Sequence, residues 1–388
     1  MNLEPTEEQK AIVAQVRRFV REEIVPLEDK LDPDASELPE DERVRLVAKV
    51  KAMGLYGLDI PAEFGGPGID MATRVLLAIE MGQHRAGLYV PCYGVFGAAG
   101  LAQLYEATPE QKEKYLHPML RGEKRGFFGL TEPSGGSDPA RAIRTRAVKD
   151  GSDWIINGSK VFISGADRAH FGLVFARTDA DKGRGGITCF IVDTDMKGFH
   201  VRRIVHTLRS SHYATELQFE DLRVPHANIL GEVGKGFAIA NDRLSRQRIP
   251  YAAACIGVAV KAQELAIDYA KQRETFGAPL ATRQAVQWMI VDNELDIRTS
   301  LWLTLAAAHK ADTGQPYRME AGMAKLVASE AGGRVVDRSM QIHGGYGMTK
   351  DLPFERWYRE MRIRRVGEGP NEVQRHVIAR DLLGAGLR

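Results

Sequence analysis

One carboxylate is marked out by its neighbours. The basic stretch Arg362-Ile363-Arg364-Arg365-Val366 runs into Gly367-Glu368-Gly369-Pro370-Asn371-Glu372, and Gly367, Gly369 and Pro370 break any helix around Glu368. That acid is fixed on a turn between two helical patterns. Facing an apolar cleft it is a positioned general base, and facing water it is a surface turn acid. A second segment, Phe128-Gly129-Leu130-Thr131-Glu132-Pro133-Ser134-Gly135-Gly136-Ser137-Asp138, is a strand entering a hydroxyl- and glycine-rich turn. Its amides and the Thr131 and Ser137 hydroxyls suit a polar ring or a phosphate, because glycines let a ligand approach the chain closely; an ordinary Gly-rich connection is the alternative. A third, Asn157-Gly158-Ser159-Lys160-Val161-Phe162-Ile163-Ser164, reads as a hairpin turn with an outgoing strand. Strand positions i and i+2 share a face, so Phe162 and Ser164 offer a flat ring and a hydroxyl to one ligand, or form part of a half-buried strand.

Other chemistries lack their spacing. No G-x-G-x-x-G follows a strand, and neither a P-loop nor a G-x-S-x-G elbow occurs. The ten histidines include no H-E-x-x-H, and His206 with His212 has no carboxylates at ligand spacing, so no metal is expected. Three cysteines, Cys92, Cys189 and Cys255, are too few and too far apart for a disulfide framework. Lys plus Arg is 53 against 51 for Asp plus Glu, and a net charge of +2 argues against nucleic-acid binding. Met1 to Glu8 lacks the basic start and apolar run of a signal peptide, and nothing approaches the ~20 apolar residues of a membrane span. A cytoplasmic location is expected.

The elements that must position these groups change period along the chain. Thr6 and Gln9 have capping-box spacing ahead of Ile12, Val13, Val16, Phe19, Val20 and Ile24 at helical intervals. Further helices are predicted over about 41–53, 72–84 and 109–120, with an apolar helical stretch from Tyr89 to Tyr105. Short β-branched and aromatic runs follow at 127–131, 154–157, 161–164, 173–176, 187–192 and 216–219, separated by Gly, Asp and Asn. Helical periodicity returns over 237–273, with Pro250 inside, then 284–311 and 318–342, and in shorter segments around Gly367. At 388 residues more than one core is needed. The expected fold is α+β and mostly α: an N-terminal helical domain (1–122), a middle antiparallel β-domain (123–235) and a C-terminal four-helix bundle (236–388).

Taken together, in unbroken order over nearly the whole chain, these segments resemble the acyl-CoA dehydrogenase family. Thr131-Glu132-Pro133 with Gly136-Ser137-Asp138 is similar to the family's flavin turn, and Phe162-Ile163-Ser164 to its second flavin segment. Arg273-Glu274-Thr275-Phe276-Gly277 with Gln284, Gln341-Ile342-His343-Gly344-Gly345 and Glu368-Gly369 complete the pattern. The resemblance implies FAD held between the middle domain and the bundle without a Rossmann motif. It also implies a homotetramer, a dimer of dimers, in which Arg273, Phe276, Gln284 and the Gln341–Gly345 segment reach a neighbouring subunit's FAD. The implied reaction is α,β-dehydrogenation of an acyl-CoA thioester to the trans-2-enoyl-CoA, with electrons passed to an electron-transferring flavoprotein. Glu368 would take the α-proton while the β-hydrogen leaves as hydride, and the Glu368 backbone N–H would support the enolate. By the same resemblance Phe128, Leu130, Thr131, Gly136, Ser137, Phe162, Ile163, Ser164 and Glu372 would join the FAD site. Ser137, Arg248 and Gly369 would bind substrate.

Some residues depart from the family pattern. A minority of members carry the base just before the residue matching Arg248, but that position is Gln247 here, leaving Glu368. Phe162 and Ser164 stand for the usual Trp and Thr, Gly367 for a Tyr, and Pro370 for a Thr, which favours substrates other than simple fatty acyl chains. Two alternatives stay open: an oxygen-using flavin oxidase or monooxygenase on the same fold, and a noncatalytic acyl-CoA-binding or assembly protein. Acyl length depends on how Tyr93, Val95, Phe96, Ala98, Ala99, Gly100 and Leu101 pack against the helix carrying Arg248 and Tyr251, and no length is assigned.

Overall fold

The computed structural model describes residues 4–97, 100–209 and 214–384; Ala98, Ala99 and His212 lie outside them. In chain order come helices α1 (Glu7–Phe19), α2 (Glu40–Ala52) and α3 (Met71–Met81), and then strands β1 (Gly126–Gly129), β2 (Arg146–Asp150), β3 (Asp153–Ser164), β4 (Phe171–Arg177), β5 (Ile187–Asp193), β6 (Phe199–Val205), β7 (Ala214–Pro225) and β8 (Ile229–Leu230). Helix α4 (Gly236–Gln272), the β9–β10 hairpin (Glu274–Thr275, Ala278–Pro279) and helices α5 (Gln284–Asp312), α6 (Arg318–His343), α7 (Phe354–Arg364) and α8 (Asn371–Leu383) complete it. The chain is mostly helical, with a central β-domain between helical N- and C-terminal parts. By contacts it divides into two compact units, Met1–Phe96 with Ser245–Arg388, and Gly97–Leu244. Among the described residues no helix is long and apolar enough to cross a membrane.

In the first unit α1 opens with the expected capping box: Thr6 Oγ1 accepts from the Gln9 amide at 3.2 Å and Gln9 Oε1 from the Thr6 amide at 2.9 Å. The helix then widens into a π turn, Val20–Ile24, where Val25 N–H reaches Val20 O, just before Pro26. A proline ring crowds the carbonyl one turn back and offers no N–H, and a wider turn relieves both. The core of this unit joins Val75, Ile79 and Leu88 to Ala252, Ala253, Ile256 and Ala259 of α4 and to Ala324, Ala328, Val335 and Trp357. The crossing of α3 and α4 is very close: a Cβ on Gly257 would stand 2.3 Å from Ile79 O.

Among the described residues, the helix expected from Tyr89 to Tyr105 does not form. Its place is taken by short 3₁₀ turns, Pro91–Gly94 and Ala102–Glu106, with Cys92 and Tyr93 left-handed at φ 47° and 52°. Pro91, Gly94, Gly97 and Gly100 interrupt an apolar run whose hydrophobicity alone looked helical. A buried carboxylate fixes this turn. Glu28 accepts from His84 Nδ1 (2.7 Å), Tyr93 Oη (2.8 Å) and the amides of Arg85 and Ala86, while His84 Nε2 accepts from the Cys92 amide. Burial opposes ionisation of Glu28, yet His84 and the two amides outweigh it and bring the carboxyl down to about 2.

The second unit contains the helical segment of 109–120 and one sheet in the order β6-β7-β3-β2-β4-β5-β8, with β1 added beside β4. Pairing is antiparallel except for β1 with β4 and a single β2–β4 bridge. Phe127, Trp154, Ile156, Val174, Phe190, Leu217 and Phe219 form its core. Asn157-Gly158 is not the predicted hairpin turn. The strand runs straight through it, β3 being twelve residues long, and the reversal from β2 occurs at Gly151 instead. Register shifts accompany the passage, and a Cβ on Gly158 would lie 2.6 Å from Thr145 Cα, so glycine serves a close crossing rather than a turn. Strands β2 and β6 carry no alternating apolar face and escaped prediction.

Candidate active site

Glu368 sits where α7 ends and α8 begins, with φ +54°. A non-glycine residue in the left-handed region costs of order 1 kcal/mol and persists only when its surroundings hold it there. They do so from below. Lys325 of α6, fully buried, donates to Gly369 O (2.9 Å), Arg365 O (3.3 Å) and Asn371 Oδ1 (2.8 Å). Gln374 Nε2 donates to Gly369 O (3.0 Å), and Asn371 is held by Ser329 and Glu330. Burial lowers the Lys325 ammonium to about 8, with the nearby Arg248 and Arg364 adding to the fall while Cys255 and Glu368 oppose it. The turn is thus clamped by a cation beneath its carbonyls.

From α4, Arg248 and Tyr251 reach the same turn. They are three residues apart on one helix face. A Cβ on Gly369 would lie 3.7 Å from Arg248 Nη2, and one on Gly367 only 2.5 Å from Tyr251 Oη. The two side chains therefore reach the residues that precede and follow Glu368 in the chain. Arg248 is 4% exposed, its Nε and Nη1 have no hydrogen-bond partner among the described residues, and it attracts Glu368 electrostatically. Behind Tyr251 the guanidinium of Arg364 lies between two rings, 4.0 Å from Tyr251 and 4.2 Å from Tyr89.

On the second unit the structure brings together Leu130, Thr131, Gly136, Phe162 and Ile163. Val161 N–H donates to Thr131 O at 3.0 Å, so the chain after β1 lies along β3. Gly136 folds back toward Thr131, its Cβ position 3.4 Å from Thr131 Cγ2. Lys160, fully buried, donates to Glu132 Oε1 (2.8 Å), Phe175 O (2.6 Å) and Leu130 O (3.2 Å), and Glu132 also takes the amides of Arg144 and Thr145. Burial pushes the lysine down to about 8 against the pull of Glu132. Glu132 stays below its usual range despite burial, chiefly because of the Lys160 charge. The bulge between Lys160 and Ile163 turns Phe162 outward at φ +58°, the residue being 61% exposed, and Ser164 is exposed two residues on. A strained backbone that presents an aromatic ring to solvent, with the exposed hydroxyl of Ser164 and the half-buried Thr131 on the same segments, fits the flat polar ring of FAD.

Other expected residues fall into two groups. Leu130, Ile163 and Ile342 are core side chains, leaving their backbone to a ligand; Phe128 is half-buried against Phe175, while Ser137 and Glu372 are exposed. Arg273, Phe276 and Gln284 are exposed around the β9–β10 hairpin, Phe276 being 99% exposed. Ile342 packs with Ala266, Ala270, Leu280 and Val286 and so anchors Gln341, Gly344 and Gly345 beside that hairpin. Sequence reading missed the parts played by Lys160 and Lys325. Each is a lone lysine in an otherwise apolar or small-residue stretch, which was the available signal.

The comparisons with known proteins agree over the whole length. Models for the acyl-CoA dehydrogenase N-terminal, middle and C-terminal domains match residues 6–123, 127–222 and 234–383. A 3-(aryl)acrylate reductase of Clostridium sporogenes is 40% identical over 97% of this chain and 99% of its own. The structure of butyryl-CoA dehydrogenase from Megasphaera elsdenii superposes with a TM-score of 0.86 at 32% identity, covering 99% and 100% of the two chains. A chain solved under the heading of the electron transferring flavoprotein of Acidaminococcus fermentans does so with 0.86 at 36% identity, covering 99% and 100%. The chain belongs to the acyl-CoA dehydrogenase family and is an oxidoreductase acting on CH–CH donors.

Proposed function

We propose that this protein is a FAD-dependent acyl-CoA dehydrogenase that converts an acyl-CoA thioester to its trans-2-enoyl-CoA. The observation that carries the reading is Glu368, fixed on its left-handed turn with Lys325 beneath and Arg248 beside it. Glu368 takes the α-proton, and its backbone N–H donates to the thioester oxygen as negative charge gathers there. Arg248, Ser137 and Gly369 bind the thioester end. Thr131, Ser164, Phe162 and their backbone neighbours, with Arg273, Phe276, Gln284 and the Gln341–Gly345 segment, would hold the FAD, which when bound supplies the hydride acceptor.

Phe276 and the exposed apolar stripe of Trp288, Val291, Leu295 and Trp302 on α5 support a homotetramer. The flavoprotein named for the Acidaminococcus structure supports an electron-transferring flavoprotein as partner. The reductase relative adds the reverse direction, in which Glu368 returns the proton.

The test is anaerobic mixing of the purified yellow protein with straight-chain, branched, aromatic and oxygenated acyl-CoA esters while flavin absorbance is followed. Bleaching by one class is expected. Glu368→Gln should keep its FAD yet bleach at least 10³-fold more slowly, as expected for loss of the base with other binding groups in place. Near-normal bleaching by that variant would remove Glu368 as the base. Rapid reoxidation of the bleached flavin by oxygen would favour the oxidase alternative, and a colourless protein that takes up no FAD the noncatalytic one.

A further inference from the structure

We propose that Tyr251 is a specificity-determining residue: its hydroxyl, seated in the space that a side chain at position 367 would fill, selects acyl-CoA esters carrying an oxygen acceptor, such as a hydroxyl, carbonyl or carboxylate, close to the reacting carbons. The proposal deepens the dehydrogenase reading and rests on Glu368 as its base.

Three observations lead to it. Gly367 directly precedes the base, and a Cβ there would meet Tyr251 Oη at 2.5 Å and Cζ at 3.5 Å. The phenol and a residue-367 side chain are mutually exclusive, and this chain has chosen the phenol. Next, the ring is not free to swing. Arg364 lies 4.0 Å from its centroid and Lys325 5.8 Å, and Tyr89 covers the far side of Arg364. A half-buried tyrosine held between cations keeps its hydroxyl in one place, which is what recognition of one atom requires. Finally, the hydroxyl is poorly used by the protein. Its partner is Arg364 O at 3.4 Å, at the long limit for an O–H donor.

Three residues earlier on the same helix face, Arg248 holds buried Nε and Nη1 groups without a hydrogen-bond partner among the described residues. Two under-used donors thus meet the turn that carries Glu368. A plain alkyl chain placed here would bury both donors against methylenes, which costs free energy. An acyl group with an oxygen near its α or β carbon satisfies Tyr251, and a carboxylate would also suit the surplus of cations from Arg248, Lys325 and Arg364. Discrimination is strongest where a site built to hydrogen-bond meets an analogue lacking the group.

The experiment compares single-turnover flavin bleaching for pairs of acyl-CoA esters of equal length, one alkyl and one bearing a hydroxyl, carbonyl or carboxylate at the chain position beyond the β carbon. Wild type should prefer the oxygenated ester by at least tenfold in rate over binding constant. Tyr251→Phe should lose about tenfold on the oxygenated ester and change less than about threefold on the alkyl one. Gly367→Ala is the control that keeps the hydroxyl but forces it aside; Gly367 has no left-handed backbone, so the new methyl's strain falls on its 2.5 Å contact with Tyr251 Oη. It should copy the loss of Tyr251→Phe, and the double variant should be no worse than either. Unchanged preference in Tyr251→Phe, or wild type bleached equally by both esters, overturns the inference and leaves the dehydrogenase reading standing. Yellow wild type bleached by no ester in the panel overturns both.

Discussion

Lys160 and Glu132 show what a single buried pair does for the turn and strand around it. Neither charge reaches water, and between them they take the carbonyls of Leu130 and Phe175 and the amides of Arg144 and Thr145. That network fixes the Thr131 turn to the strand carrying Phe162 and Ser164. Lys160→Met leaves the carboxylate of Glu132 buried without its cation, and unfolding in urea should show a loss of about 3–5 kcal/mol, whereas Glu132→Gln combined with Lys160→Met should lose less than Lys160→Met alone. A double variant as unstable as the single one would mean that the pair's charges do not compensate one another. At this scale Glu368 was legible because Gly367, Gly369 and Pro370 are local signals. Lys325, Arg248 and Tyr251 lie 43, 120 and 117 positions away in the chain from it, and no local pattern connects them.

Between elements, close approach and buried charge decide stability. Gly257 lets α4 meet the backbone of α3, and alanine there would need Ile79 O to withdraw. Gly257→Ala should lower stability by about 1–3 kcal/mol, read as a lower urea midpoint at unchanged slope. Glu28 ties the end of the π-widened first helix to the turn at His84–Tyr93. Its folded pKa of about 2 lies below the ordinary 4.5, so its contribution is fully present above about pH 4.5 and is lost as pH falls toward about 2. The difference amounts to about 3 kcal/mol. Stability measured in urea between pH 6 and pH 3 should decline, and Glu28→Gln should flatten that decline while lowering the plateau. A variant with the wild-type slope would remove Glu28 as its source. The long helices α4, α5 and α6 were readable within two residues because their period is sustained. The Asn157-Gly158 pair misled because the same dipeptide serves turns and close strand crossings, and the neighbour that distinguishes them is Thr145.

Over the whole molecule, the exposed residues of α5 and the β9–β10 hairpin bear on assembly. Trp288, Val291 and Leu295 recur at three- and four-residue steps and are each more than half exposed, a stripe that a lone soluble chain rarely shows. Sedimentation velocity should find a tetramer, and Trp288→Glu with Leu295→Glu should shift it to smaller species that bind FAD more weakly. A monomeric wild type would sink the tetramer reading and with it the sharing of Phe276 and Gln284 between subunits. The sequence by itself determined the order helical, β, helical, the turn that carries Glu368 and the hydroxyl-bearing Thr131 and Phe162–Ser164 segments, because capping, periodicity and glycine or proline breaks act over a few residues. Only the tertiary structure decided what stands around them: the lysine under the Glu368 turn, the tyrosine in place of a side chain at 367, the buried pair behind Phe162. Those are contacts between chain segments brought together by burial of apolar faces, and a one-dimensional pattern holds no measure of the distance between them.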